Sequence, residues 1–224
     1  FINKETWGGA VAAFPPQCPC TSFDESTCVF IVKTPTLDCE KRTVQQTVRL
    51  ENNVTISNAN MFRVFNLNGV SATLVSGSDV TIQKLVGEGT LVIATETTIE
   101  VIHSGANLAL VVREKLTLRQ VSSAMTIGTV EIDTACSIDI SHISSLTINT
   151  LTIRGSGQSP RTAFSSTSSD GQRTLMVGTC FIDAGSVVLI DNGWDLNVMT
   201  LRGTGAVTLR TSTTISKIEE NVAL

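Results

Sequence analysis

The segment VTIQKLVGEGTLVIATETTI, residues 80–99, aligns without gaps on LNVMTLRGTGAVTLRTSTTI, residues 196–215. Seven of the twenty positions are identical, including both glycines and the closing Thr-Thr-Ile. Four further positions are apolar in both segments: Val80/Leu196, Ile82/Val198, Leu91/Val207 and Ile93/Leu209. Self-similarity at a fixed offset is typical of repeat architectures. The pair of segments therefore indicates a repeating fold.

Short segments of alternating polarity fill the chain between about residue 43 and residue 157. Triplets of the form apolar-x-apolar recur about every eight or nine residues, and their middle residue is often Thr, Glu, Arg or Asp. A period of two indicates strands with one buried face. The spacing is too tight for helical crossovers. It leaves two architectures, an antiparallel sandwich or barrel and a solenoid of stacked coils.

Glycine corners favour the solenoid. A Gly-x-Gly motif recurs at residues 87–89, 155–157 and 203–205, and glycine supplies the positive φ that a sharp bend between strands requires. Three strands of eight or nine residues would form a coil of roughly 25 residues that rises ~4.8 Å. The sequence thus predicts an all-β parallel β-helix (β-solenoid) of about six or seven coils, roughly 30 Å long.

Two parts of the chain lack the repeat. Residues 1–42 contain Trp7, four of the eight phenylalanines and four of the six cysteines, and we expect them to form a disulfide-rich cap or connector ahead of a solenoid domain at residues 43–224. The segment QSPRTAFSSTSSDGQR, residues 158–173, is rich in Ser, Thr, Pro and Gly. It is predicted to be an insertion loop, either a surface excursion or a binding loop.

The cysteines indicate an oxidising compartment. The chain has six, at Cys18, Cys20, Cys28, Cys39, Cys136 and Cys180, and such clustering is typical of secreted proteins. Cys18 and Cys20 are too close to pair comfortably with each other, so the preferred scheme joins each to Cys28 or Cys39 and leaves Cys136 with Cys180. Six cysteines allow 15 connectivities, and the last two could instead be free thiols packed in the core.

Composition limits the partners and the compartment. Apolar residues make up 42% and charged residues 16%, yet no apolar run approaches the roughly 18 residues of a membrane helix; we expect no membrane insertion. The net charge is −4 with scattered basic residues, which argues against a nucleic-acid partner. A start at Phe1 suits a matured secreted product. The sequon Asn53-Val54-Thr55 predicts glycosylation of Asn53.

The glycine corner followed by an alternating strand, as in residues 87–93, resembles the repeats of passenger-type adhesins. Residues 43–215 as a whole resemble the right-handed parallel β-helix proteins, a group that also includes pectin-lyase-like folds. The resemblance implies a rod that serves either adhesion or polysaccharide cleavage. The cysteine-rich start departs from the adhesin pattern.

Candidate catalytic residues are few. A pectate-lyase-like enzyme needs clustered carboxylates for calcium and a base that abstracts a proton next to a uronate, but the acidic residues here are dispersed. The best local group is Asp133, Asp139 and His142, which could hold a general acid/base pair or could simply be solvated. Cys18-Pro19-Cys20 lacks a second matching pair and the chain has two histidines, so we expect neither a metal nor a cofactor.

Two features of the sequence are compatible with a binding function, and each also has a plainer explanation. Trp194 is the one candidate stacking platform for a carbohydrate-binding module, because aromatic residues total only 4%. The threonine-rich segments at residues 95–98 and 211–214 suggest ice binding, but a regular Thr-x-Thr ladder is missing from the sequence. The strand propensity of threonine is the plainer explanation of these segments.

The ends of a solenoid are open edges that accept another strand. We expect end-to-end self-association through the apolar start of the chain, with Phe1, Ile2, Trp7 and Phe14 as the contacts, and such heterologous contacts generate open fibres. The sequence therefore predicts a secreted, non-enzymatic structural or adhesive protein that forms a head-to-tail surface filament. Glycans and cell-surface proteins are candidate partners, and a polysaccharide lyase or hydrolase is the alternative.

Overall fold

The computed structural model describes residues 6–7, 29–39, 41, 43–75, 79–103, 105–119, 124–133, 136–154, 161–166, 173–183, 185–190 and 194–219. These residues form two parallel β-sheets around a single apolar core. In spatial order the eleven-stranded sheet contains β1 (Thr6–Trp7), β2 (Val29–Val32), β4 (Thr43–Leu50), β6 (Met61–Asn66), β8 (Val80–Val86), β10 (Thr97–His103), β12 (Leu116–Leu118), β14 (Ile138–Asp139), β16 (Arg161–Ser165), β18 (Ser186–Ile190) and β20 (Ala206–Thr208).

The second sheet has ten strands and takes the alternate segments of the chain. In spatial order it contains β3 (Thr36–Asp38), β5 (Val54–Ser57), β7 (Ser71–Val75), β9 (Gly89–Ala94), β11 (Leu108–Val112), β13 (Met125–Ile132), β15 (Ser145–Ile153), β17 (Arg173–Ile182), β19 (Trp194–Gly203) and β21 (Thr213–Ile218). One short 3₁₀ helix, Gly105–Asn107, precedes β11. From β2 onward the chain crosses from one sheet to the other after every strand, so each coil stacks on the previous one.

The result is a parallel β-solenoid of about eight turns, which confirms the predicted fold class. Most coils are shorter than the predicted 25 residues, which is why there are more of them. Val80 pairs with Thr97, 17 residues on, and Thr97 pairs with Leu116 after a further 19. At ~4.8 Å per turn the stack is about 40 Å long.

Long strands bend where the inward alternation slips by one residue. In β13, Met125 and Ile127 are buried, but the next core side chain is Val130, three positions further on. The same spacing of three separates Ile148 from Leu151 in β15. Two consecutive residues then lie outside the alternation, as in a bulge that turns a strand. A coil that contains such a bend has three inward-facing segments but belongs to only two sheets. The sequence pattern counts the two halves of the bent strand separately, which accounts for the three strands predicted per coil.

The predicted glycine corners are confirmed at two places. The φ angles are 85° at Gly87, 130° at Gly89 and 117° at Gly203, in the left-handed region that favours glycine. A Cβ on Gly203 would overlap the carbonyl oxygen of Ile182 in the neighbouring coil. Glycine is therefore required there both for its conformation and for the close approach of the two chains. The corner at residues 155–157 lies outside the described residues.

The two self-similar segments lie in different sheets. The first begins with β8 of the eleven-stranded sheet, whereas the second begins in β19 of the ten-stranded sheet. They nevertheless share local structure, because the Oγ1 of Thr97 donates to the Thr95 carbonyl at 2.9 Å and that of Thr213 donates to the Thr211 carbonyl at 3.0 Å. The repeated unit is a strand and its corner, not a whole coil.

Two predicted boundaries change. Strands β2 and β3 pair with β4 and β5, so the sheets include residues that were assigned to the cap at 1–42. Strand β16 lies inside the predicted insertion loop at 158–173, and it pairs with both β14 and β18. Its core side chains are only Ala163 and Phe164, too short an apolar run to stand out among serines and threonines. Residues 158–160 and 167–172 lie outside the described residues.

Cys39 and Cys180 do not form the disulfide bonds predicted for them. Cys39 and Cys180 are buried thiols without a disulfide bond, and desolvation raises the pKa of each to about 12. The predicted bond between Cys136 and Cys180 is wrong, since Cys180 lies in β17, two coils beyond the coil that contains β13 and Cys136. Two strand spacings, ~10 Å, exceed the Cα separation of a disulfide. The disulfide-rich cap is not supported; Cys18, Cys20 and Cys28 lie outside the described part of the chain.

Candidate functional site

The three candidate catalytic residues lie along one coil without forming a cluster. Asp133 follows β13 of the ten-stranded sheet, whereas Asp139 ends β14 of the other sheet. The Oδ1 of Asp139 accepts a hydrogen bond from the Ser141 N–H at 2.9 Å, a local turn contact, and His142 is exposed on that turn. Within the described ranges no group of three His, Cys, Asp or Glu side chains is placed to hold a metal ion. The acid/base function of these residues stays a prediction.

Several ion pairs connect successive coils. Lys115 Nζ lies 2.7 Å from Glu96 Oε1, Arg154 Nη2 lies 3.2 Å from Glu131 Oε2, and Lys33 Nζ lies 3.0 Å from Glu51 Oε2. The hydrogen bond with Glu96 raises the pKa of Lys115 above its ordinary value. Pairs this exposed contribute little net stability. Their arrangement is that of surface links between coils rather than of a reaction centre.

Trp194 is not an exposed stacking platform. Its side chain is 1% exposed, and the guanidinium carbon of Arg173 lies 5.9 Å from the ring centroid. Because Trp194 begins β19 at an inward position, its ring fills the core where the chain enters the ten-stranded sheet. A sugar approaching from solvent would not reach its face, so this residue gives no support to a carbohydrate-binding module.

Asn53, the sequon residue, is exposed at the start of β5. Its Oδ1 accepts a hydrogen bond from the Ser71 N–H of the next coil at 2.9 Å. The side chain is accessible to a modifying enzyme in this position. Glycosylation at Asn53 stays a prediction.

The outer face of the ten-stranded sheet carries a column of threonines that the sequence did not reveal. In-register pairing stacks one threonine on each of four successive strands, β13, β15, β17 and β19. A second outward column lies three residues before the threonine column on each strand. The residues one position before the threonine column form a third set. We call these twelve positions the threonine face: Thr126, Gly128, Thr129, Thr147, Asn149, Thr150, Met176, Gly178, Thr179, Asn197, Met199 and Thr200.

The threonine face contains no charged residue, although charged side chains lie next to it. The following outward column includes Glu131 and Arg202. Within the face, Met176 is 44% and Met199 61% exposed, and Thr129 is also exposed. Gly128 is the exception, since it is buried and a Cβ there would overlap the Ala106 carbonyl oxygen. At the other positions the described strands β13 to β19 present an uncharged surface of hydroxyl and methyl groups on one flank of the rod.

The C-terminal end of the described rod is the second candidate surface. Strands β20 and β21 lie at the edges of their sheets, and each pairs with a single described strand. Ile218 is 44% exposed, although it is in register with the buried Leu201. At the opposite end Trp7 belongs to β1 and pairs with Val32, while Phe1, Ile2 and Phe14 lie outside the described residues.

No family model, no curated protein and no solved structure matches this chain. The class that the structure defines is the parallel β-solenoid, with an uncharged flank and an open end as its candidate sites. Among the described elements no helix is long and apolar enough to cross a membrane.

Proposed function

We propose that this chain is an extracellular structural or adhesive rod that associates end to end. The observation that supports the proposal is the open C-terminal edge, formed by β20 and β21. An edge strand presents a row of backbone N–H and C=O groups ready to pair with another strand. In a solenoid these groups point along the rod axis, so a partner that pairs with them continues the stack.

The core also reaches this end without being covered by a described coil. Ile218 continues an inward column of stacked side chains, namely Val130, Leu151, Cys180, Leu201 and Ile218. Ile215 and Leu209 are likewise only partly buried against the core. A further coil would cover all three side chains, and the first coil of a second copy has the strand spacing to do so. We therefore propose that the occupant of this end is another copy of the same chain.

The proposal is tested by changing the end and, separately, the flank. Ile218→Lys places a charge on the core column at the open end, and we expect it to weaken association at least tenfold. Met199→Lys is the matched control, because Met199 is an exposed apolar residue on the flank. Sedimentation velocity across a concentration series measures association, and negative-stain microscopy shows whether the assemblies are linear.

Two results would refute end-to-end association. The first is a wild-type chain that stays monomeric at every concentration tested. The second is a loss of association in Met199→Lys as large as that in Ile218→Lys, which would move the contact to the flank.

We also propose an extracellular location and an adhesin-like family, on the basis of the cysteine clustering, the exposed sequon and the resemblance of the glycine corners. Adhesion to glycans or cell-surface proteins would then use the flanks of the rod. Material from a eukaryotic secretory host should lose mass on treatment with an amide-cleaving glycosidase, and an Asn53→Gln chain should not. An identical mass before and after treatment of the wild-type chain would reject glycosylation.

A further inference from the structure

We propose that the threonine face binds an ordered lattice of water molecules, that is, the surface of ice. This function is separate from end-to-end association, since the face lies on the flank of the rod. The inference depends on four properties of the face: its regular spacing, the stiffness of its side chains, its free hydroxyl groups and its lack of charge.

The spacing is regular because the strands are in register. Thr129, Thr150, Thr179 and Thr200 occupy equivalent positions on adjacent parallel strands, so their hydroxyls recur every ~4.8 Å along the rod. Thr126 and Thr147 form a second column on the first two of these strands. These two columns lie on either side of the bend in β13 and β15, so the column of four threonines is the regular row that a crystalline surface can match.

The side chains of the array are held in place without being used internally. Threonine is β-branched, so its χ1 is restricted and its hydroxyl and methyl groups are already positioned before binding. Little side-chain entropy remains to be lost on adsorption. The side-chain hydroxyls of the six threonines of the face make no hydrogen bond within the described part of the chain. Their hydroxyls are thus available to water.

Four of the six threonines in the segments that first suggested ice binding, residues 95–98 and 211–214, have a different function. The Oγ1 atoms of Thr97 and Thr213 donate to carbonyls two residues earlier, and that of Thr211 donates to the Trp194 carbonyl. Thr95 and Thr97 are also buried. These side chains stabilise corners of the solenoid, which explains why no ladder follows from their spacing.

The size of the face argues against a second protein molecule as its occupant. Four strands at ~4.8 Å and four residues at ~3.3 Å give an area of roughly 250 Å². A standard interface buries about 800 Å² on each partner. The face is therefore about a third of the size that a stable dimer needs.

The chemistry of the face argues against a polysaccharide. Sugar rings stack on exposed aromatic faces, and the threonine face has no aromatic residue. The aromatic residue nearest in register, Phe181 beside the Thr179 column, is paired with Arg202, whose guanidinium carbon lies 5.7 Å from the ring centroid. Hydroxyls and methyls without charge or aromatics fit a water lattice better.

Two exposed methionines limit the array and provide the sharpest test. Met176 takes the place of a third threonine in the column of Thr126 and Thr147. Met176→Thr should therefore extend the array and increase ice-binding activity at least twofold. A purely structural surface would gain nothing from this change.

The experiment compares four chains by thermal hysteresis and ice-crystal shaping. They are the wild type, Met176→Thr, Thr150→Lys at the centre of the face and the control Thr98→Lys. Thr98 is a half-buried, outward threonine of the eleven-stranded sheet, in register with Thr81 and Thr117. We expect the wild type to shape ice, Thr150→Lys to lose at least tenfold in activity and Thr98→Lys to be unchanged. Far-UV circular dichroism verifies that each chain is folded.

Several outcomes would overturn the proposal. A wild-type chain that neither shapes ice nor shows hysteresis at millimolar concentration would do so, as would equal losses in Thr150→Lys and Thr98→Lys. Adsorption to crystalline cellulose or chitin without any effect on ice would assign the face to polysaccharide instead. If Thr150→Lys does not fold, an unchanged activity in Met176→Thr still rejects the array. A wild-type chain that associates end to end but has no effect on ice would reject ice binding and leave the proposed rod unaffected.

Discussion

Replacing Gly203 with alanine tests the corner on which the stacking of coils depends. Two separate penalties act at this position. The φ of 117° lies in a region that disfavours a side chain, and the new Cβ would overlap the backbone carbonyl oxygen of Ile182. The overlapped atom belongs to a hydrogen-bonded strand, β17, so it cannot be displaced by a change of rotamer.

The magnitude follows from comparison with Gly69. At Gly69 the φ is 83°, but a Cβ would have no atom within 4 Å. Gly69→Ala therefore has only the conformational penalty, about 1–2 kcal/mol, less a gain of about 0.4–1 kcal/mol from a more restricted unfolded chain. Gly203→Ala adds the overlap, and forcing extra volume into packed structure costs about 1–3 kcal/mol. We therefore expect Gly203→Ala to lower the free energy of unfolding by about 1–3 kcal/mol more than Gly69→Ala does.

Urea unfolding followed by far-UV circular dichroism measures both free energies. The fluorescence of the buried Trp194, at the opposite end of the same strand, gives a second probe of unfolding. Equal destabilisation in the two variants would show that the close approach at residue 203 has no energetic consequence. That result would refute the argument that glycine is needed there for packing as well as for its backbone conformation.

Burial raises the pKa of Cys180 to about 12, so we expect iodoacetamide to label it far more slowly in the native than in the unfolded chain, as mass spectrometry would show. Because the unfolded thiol ionises first, near its ordinary value of 9.0, stability should fall as the pH rises from about 9 to about 12, by roughly 1 kcal/mol per pH unit. Lys41 has a φ of 58° at a corner that stacks on Asn58, whose φ is 52°; Lys41→Asn should stabilise the chain by about 0.5 kcal/mol in urea unfolding, since asparagine tolerates this conformation. A hydrogen bond from Lys217, together with Arg202, lowers the pKa of Glu219. That stabilisation is present above the ordinary pKa and is lost as the pH falls through the lowered one, so the protection factors for amide exchange at the end of β21 should fall in acid, and Glu219→Gln should remove this dependence.

The fold class could be predicted because the inward alternation and the glycine corners are local features. Coil length could not be predicted in the same way. A strand that bends between Ile127 and Val130 has the same apolar pattern as two separate strands, so the pattern alone gives too many strands per coil and too few coils. Strand β16 was missed because Phe164 and Ala163 supply its whole core contribution. The position of β16 in the sheet depends on its pairing with β14 and β18, and a local sequence pattern does not predict such pairing.

The surfaces were harder to predict than the fold because they depend on register. Thr129, Thr150, Thr179 and Thr200 are separated by 21, 29 and 21 residues, so a search for a fixed period does not find them. Trp194 is the converse case. The sequence made it the one candidate stacking platform, which requires a surface position, but its side chain lies in the core. Neither case could be decided without knowing which residues the stacking brings together.

The variable length of the coils has a mechanical consequence. In both sheets the hydrogen bonds between strands run along the rod axis, so tension applied to the two ends of the chain would open them one strand at a time rather than all together. Each coil that detaches would release its own length of chain at about 3.4 Å per residue. The coil of 17 residues between Val80 and Thr97 would lengthen the molecule by roughly 60 Å, and the coil of 29 residues between Ser145 and Thr174 by roughly 100 Å. Under load the rod would extend in unequal steps whose order and size follow the coils along the chain.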